Sequence, residues 1–248
     1  MPAASTKNYK FAIVAMLVVI VVLIGVIAQL QRPKSPAAQA TAGSVGAPAQ
    51  VAPVEPTDEQ VEMARFLTED FPRRQEGDPL ALGRVDAKVV LTEWADYRCP
   101  FCSVWALETL PGLQPLIDDG TLRVEFRDLA IFGEQSERAA TAARAAGEQG
   151  AYFEFAHELF AALPEGKPDV PDELVFGIVE KLGLDLAQFK TDWADPAHKE
   201  AVLADSAQAQ SMGVSGTPAF VVGGEFLSGA MPLADFEQAI ARQAATIG

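Results

Sequence analysis

Cysteine is almost missing from this chain, with two in 248 residues. A framework of structural disulfides needs several pairs, so any fold must rest on an apolar core, for which 49% hydrophobic residues are ample. Histidine is equally scarce, and His157 and His198 lie far from the cysteines. A zinc site normally wants four nitrogen or sulfur ligands, and this set does not supply one, so no metal or organic cofactor is expected. Basic residues are outnumbered, 19 lysines and arginines against 34 acids, for a net charge of −15. That balance excludes the basic footprint on which nucleic-acid binding depends. No internal repeat is visible, which argues against a solenoid.

One long apolar run is present, from Phe11 to Ala28. It exceeds the 7–15 residues or so of a secretory signal core and reaches the roughly 17–25 needed to cross a bilayer. Residues 1–10 are therefore read as a cytoplasmic tail and 11–30 as a transmembrane anchor, with cleavage near Ala38-Gln39-Ala40 as the alternative. Lys7 and Lys10 before the run nearly balance Arg32 and Lys34 after it, so charge alone does not orient it. Residues 31–56 are rich in alanine and proline and lack periodicity, the pattern of a disordered linker of semi-extended reach.

The periodic part begins at Thr57, whose spacing to Gln60 is that of a capping box opening a short helix to Leu67. This helix and a polar turn make up residues 57–79. Leu80–Leu82 and Val89–Trp94 read as strands. Leu122–Leu129 alternates, with Leu122, Val124 and Phe126 on one side and Arg123, Glu125 and Arg127 on the other, as a strand with one polar face does. Residues 134–212 are helical in pattern, with breaks at Gly147–Gly150, Pro164–Pro171 and Gly183. Strand character returns at Ala219–Val222 and Glu225–Leu227 around a Gly223-Gly224 turn, and a helix from Leu233 to Ala244 closes the chain. The order of elements predicts an α/β fold with one inserted helical block.

Both cysteines fall in one motif, Cys99-Pro100-Phe101-Cys102, directly after the second strand and at the start of a helix expected to reach Leu110 and to break at Pro111 and Pro115. A pair at this spacing can close into a small ring and reopen. Proline suits the first helical turn, and the helix N-terminus favours a thiolate at Cys99. Cys99 is expected to be the exposed, reacting sulfur and Cys102 the buried partner that resolves a mixed disulfide. Arg98 adjoins the pair and offers positive potential. Glu93 sits on the same strand face as Val89 and Leu91, within an otherwise apolar strand. Trp94 and Trp105 flank the motif as packing residues, with Trp105 a possible rim to a peptide groove, and His157 reads as structural.

The stretch Asp96-Tyr97-Arg98-Cys99-Pro100-Phe101-Cys102 resembles the active site of the DsbA-like branch of the thioredoxin superfamily. A second stretch, Gly213-Val214-Ser215-Gly216-Thr217-Pro218-Ala219-Phe220, is similar to that family's cis-proline loop, and residues 134–212 match the place and length of its helical insertion. The resemblance implies a thioredoxin fold split into residues 80–133 and 213–248. It implies a cis Pro218 facing the cysteines, a Thr217 backbone that pairs with an extended substrate segment, and Pro100 and Phe101 at the substrate surface. Glu93 would be a buried acid that relays a proton to Cys102. The activity implied is a membrane-tethered, extracytoplasmic oxidoreductase that donates its disulfide to reduced exported proteins and is reoxidised by a quinone-linked membrane partner. Phe101 stands where the best-known oxidases of the family carry histidine. That leaves a reductase or isomerase on the same site, or a non-catalytic peptide-binding domain, as alternatives.

Overall fold

The computed structural model describes residues 57–163 and 169–246. The expected tail, anchor and linker (1–56), and most of the loop expected at 164–171, lie outside them. No helix of the described residues is long and apolar enough to cross a membrane.

The helix at the start of the described region, α1 (Asp58–Arg65), forms where the capping box places it. Gln60 N donates to Thr57 Oγ1 at 3.3 Å and Thr57 N to Gln60 Oε1 at 2.9 Å. A π-turn, Phe66–Asp70, continues it. Among the described residues five strands follow: β1 (Ala81–Leu82), β2 (Val89–Ala95), β3 (Leu122–Asp128), β4 (Ala219–Val222) and β5 (Glu225–Ser228). They form one sheet in the order β1-β3-β2-β4-β5. Only β2 and β3 run parallel, with Val89 opposite Leu122 and Ala95 opposite Asp128. The crossover between them carries the motif helix α2 (Pro100–Val104), a π-turn over Trp105–Thr109, a 3₁₀ turn over Leu110–Leu113, and α3 (Gln114–Asp118). The expected break at Pro111 and Pro115 is instead a change of helical winding. Each proline occupies a first-turn position of the segment that follows, where its missing N–H costs nothing.

Between β3 and β4 lies the insertion: α4 (Glu134–Gly147), α5 (Tyr152–Ala162), α6 (Asp172–Lys181), α7 (Leu186–Trp193) and α8 (Pro196–Ser211). The alanine run of α4 is almost wholly buried, and its small side chains let α5, α7 and α8 pack closely around it. Asp185 caps α7 by accepting from Ala187 N and Gln188 N. The last helix, α9 (Leu233–Thr246), covers the sheet face that carries Val89, Leu91 and Phe220. Where the crossover meets α9, a Cβ on Gly112 would lie 2.5 Å from Leu233 Cδ2, so that side chain would have to shift.

The alternation expected of β3 is present, and both of its faces are covered. All seven residues of β3 are buried. Arg123, Glu125 and Arg127 do share a face, but the segment before β1 and helix α8 cover it. Glu125 accepts from Arg123 Nε at 2.8 Å and from the backbone N–H groups of Arg73 and Arg74 at 2.7 and 2.8 Å. Arg127 donates to Phe71 O and Gln208 Oε1 and lies over the Phe71 ring. Charged alternation on a strand indicates which residues share a face. It does not say that water is on that face.

Candidate active site

The sequence brings the cysteine pair to the C-terminal end of β2, where the sheet passes into helix α2. Cys99 is the N-cap of that helix, in extended conformation, and Pro100 occupies the first turn. The turn is set by Cys99 N donating to Asp96 O at 3.0 Å, and by Cys102 N and Ser103 N donating to Cys99 O at 3.0 and 3.1 Å. From the other side comes the loop before β4, in which the Thr217–Pro218 peptide is cis. It brings the Thr217 carbonyl to 3.3 Å from the Cys99 thiol, which donates to it. Two stretches 118 residues apart thus meet at one sulfur.

That contact corrects one expectation. Cys99 is not exposed; it is 4% accessible, and Cys102 is fully buried. The loop carrying Thr217 lies against Cys99 and leaves only a small part of the sulfur open. The residue between the cysteines carries the exposure instead: Phe101 is 64% accessible, and Val104 one turn on is 42% accessible.

The two sulfurs are electrostatically unlike. Cys99 is drawn down to about 6, first by the hydrogen bond from Cys102, with burial opposing and the Thr217 side chain and the backbone N–H groups of Cys102 and Phe101 adding. The Thr217 hydroxyl is buried with no hydrogen-bond partner among the described residues and is available to the thiolate. Cys102 is pushed well above the ordinary thiol by burial first, then by the hydrogen bond and charge of Cys99 and the charge of Glu93. Arg98 contributes elsewhere: its guanidinium donates to Phe132 O at 2.7 Å and lies 4.0 Å from Asp169.

Glu93 lies on β2, paired with Phe220 of β4 and Phe126 of β3. It is 2% accessible, and its Oε1 has no hydrogen-bond partner among the described residues. Burial raises its pKa well above the carboxylate range, and the charge of Cys99 raises it further. Burial thus favours the protonated form of Glu93, and the group is close enough to the pair that any charge it carries bears on Cys102.

Two supports escaped the sequence reading. Asp96 is buried and accepts from Arg98 N, Ile131 N and Phe132 N at 2.8, 2.8 and 3.2 Å. It fixes the loop that enters the motif to the segment after β3. Its two-residue spacing to Arg98 is the signature of an Asx turn and was available as a signal. Tyr97 O–H and Tyr152 O–H meet at 2.8 Å in the core, and Tyr97 stacks on Phe160 at 4.9 Å. This joins the motif to α5 of the insertion, and nothing in the local sequence marks it. Trp105 is fully buried and packs against Phe220 and Phe236. His157 is exposed on α5.

A family model described as Thioredoxin matches residues 75–242, the whole span from before β1 into α9. The chain belongs to the thioredoxin family. Within it the branch is the DsbA-like one. A probable disulfide bond formation protein D of Bacillus anthracis is 33% identical over 150 residues, 58% of this chain and 69% of that protein. Oxidised BdbD of Bacillus subtilis has the same fold, with a TM-score of 0.63 at 23% identity over 68% of this chain and 94% of that one. The Na(+)/H(+) antiporter NhaA 1 of Salinispora arenicola is 35% identical over 145 residues, 57% of this chain but 21% of that much longer protein. This DsbA-like protein is a thiol:disulfide oxidoreductase, and its two motifs converge on Cys99.

Proposed function

We propose that this DsbA-like protein is a disulfide donor for reduced, exported proteins. The observation that carries the reading is the asymmetry of the pair, with Cys99 drawn down to about 6 and Cys102 pushed well up. A stabilised Cys99 thiolate stabilises the reduced pair and makes Cys99 a good leaving group, which favours giving the disulfide away. In the donating direction a substrate thiolate attacks the sulfur of Cys99 and the Cys99–Cys102 bond breaks. Cys102 leaves and takes a proton, for which neutral Glu93 is the nearby source. A second substrate thiolate then attacks the substrate sulfur of the mixed disulfide, and Cys99 departs as thiolate. The substrate loses two electrons and the cysteine pair gains them. In this scheme the Thr217 and Pro218 backbone aligns an extended substrate segment beside Cys99, and Phe101 with Pro100 forms the surface it first meets.

Reoxidation by a quinone-linked membrane partner, and anchoring of the chain through residues 11–30 with its folded part outside the membrane, belong to the same proposal. The apolar run in the sequence supports it, as does a homologous segment within proteins named as sodium–proton antiporters. The reduction potential of the full chain, equilibrated with glutathione, tests the direction. A value well above thioredoxin's, toward the roughly −120 mV of DsbA, is expected. One near about −270 mV would overturn donation and support a reductase. Cys102→Ser should accumulate mixed disulfides on Cys99 in extracts, and a chain that traps none is a binding domain without redox work.

A further inference from the structure

A cavity of about 430 Å³ opens between the crossover helices and α5 of the insertion. Its size falls within the range of small-molecule sites. The wall is aromatic and aliphatic, with Phe126, Phe153, Phe160 and Leu110 among its residues. Two further residues of the wall are buried and polar, Glu93 and Trp105. Each has an atom, Glu93 Oε1 and Trp105 Nε1, that finds no hydrogen-bond partner among the described residues. Buried polar groups left unpaired are costly, and two on the wall of one cavity define what would suit it. Trp105 Nε1 can only donate. A protonated Glu93 also has an O–H to give. At the mouth stand Glu154, Glu158 and His157, which together with the net charge of −15 disfavour an anion.

We propose that this cavity is a binding site for a neutral aromatic molecule carrying one hydrogen-bond-accepting oxygen, its ring among the phenylalanines and its oxygen at Trp105 and Glu93. The inference is independent of the direction of electron flow. The cavity is lined by Glu93 but by neither cysteine, so an occupant would meet the pair through Glu93 and not at the Thr217 face of Cys99.

The chain has three tryptophans, Trp94, Trp105 and Trp193, and their indole N–H signals in a nitrogen–proton correlation spectrum of the full chain serve as the readout. Titration with acetophenone should move the Trp105 signal saturably and leave the other two in place. Ethylbenzene, of the same shape without the oxygen, should bind at least tenfold more weakly, and benzoate should not bind. Ala156→Leu, which fills the cavity from α5, should abolish the acetophenone shift while the Trp94 and Trp193 signals report an intact fold. If those two signals collapse, Leu110→Phe fills it from the crossover instead. Ethylbenzene binding as well as acetophenone would reduce the site to an apolar void and overturn the proposal. Acetophenone leaving Trp105 unmoved, with solvent water alone in the cavity, would overturn it too.

Discussion

Two glutamates occupy neighbouring strands of the same sheet, one residue apart in register. Glu93 pairs with Phe126, and Glu125 pairs with Thr92. Both are sealed from water, at 2% and 0% accessibility, but they project to opposite faces and meet opposite company. On the face of Glu125, burial would raise the carboxyl, yet the Arg123 guanidinium and the backbone N–H groups of Arg73 and Arg74 outweigh it, and the group is held below its ordinary range. Glu93 has no such donors on Oε1, and burial carries its pKa well up. The same side chain, sealed from water in both places, is held toward its ionised form in one and toward its protonated form in the other. Hydrogen-bond donors decide between the two outcomes, not depth. As a clamp, Glu125 secures the segment before β1, and Glu93 lies near enough to the pair for its charge to bear on Cys102.

The comparison breaks most visibly at the clamp. Glu125→Ala leaves Arg123 buried without its counter-charge and two backbone donors unpaired, and a loss on the order of 3–5 kcal/mol is expected in urea unfolding at neutral pH. The pH dependence should also change sign between the two sites. The pKa of Glu125 is lowered in the fold, so its contribution is present above the unfolded carboxyl pKa and fades as pH falls through the folded value. Glu125→Ala should therefore lose its deficit in acid.

Glu93 gives the reverse. Its pKa is raised in the fold, so its stabilisation is complete below the unfolded pKa and is lost as pH rises toward the folded value. Glu93→Gln should match the parent within about 1 kcal/mol in acid and become the more stable of the two in alkali, by unfolding across a pH series. It should also slow the departure of Cys102 by roughly 10²-fold in stopped-flow thiol exchange and remove the corresponding limb of the pH–rate profile. A variant that kept that limb would remove Glu93 from the proton path. The smallest effect belongs to an exposed pair. Arg65→Ala breaks the bridge to Glu69, whose partners are 59% and 63% exposed, and should alter unfolding by about 0.5 kcal/mol or less.

The contrast between these two glutamates was half legible in the sequence. Glu93 stood out because it interrupts an apolar strand, and strand alternation put it on the buried side. Glu125 was read with Arg123 and Arg127 as a polar face. Besides Arg123, its donors are backbone groups 51 and 52 residues earlier, in a stretch that has no periodicity of its own. The same limit hid the ion cluster of Asp128, Arg144 and Asp205, which joins β3 to two helices of the insertion through partners 16 and 61 residues apart. Signals carried by adjacent residues translated directly into structure: the Thr57–Gln60 cap, the Gly-Gly hairpin, the proline at the head of α2. The covering of Cys99 did not, because it depends on how closely a loop 118 residues away approaches. A motif names its partners, but the space left between them is set by packing.

The hydroxyl pair of Tyr97 and Tyr152 gives the molecule a clock. A proton shared by two phenols at 2% and 1% accessibility can trade places with deuterium only when the rings separate. One ring sits two residues before Cys99 and the other opens α5, so the rings separate when the insertion lifts from the strand end. The protection of that hydroxyl proton from exchange therefore reports how often and how long this contact opens.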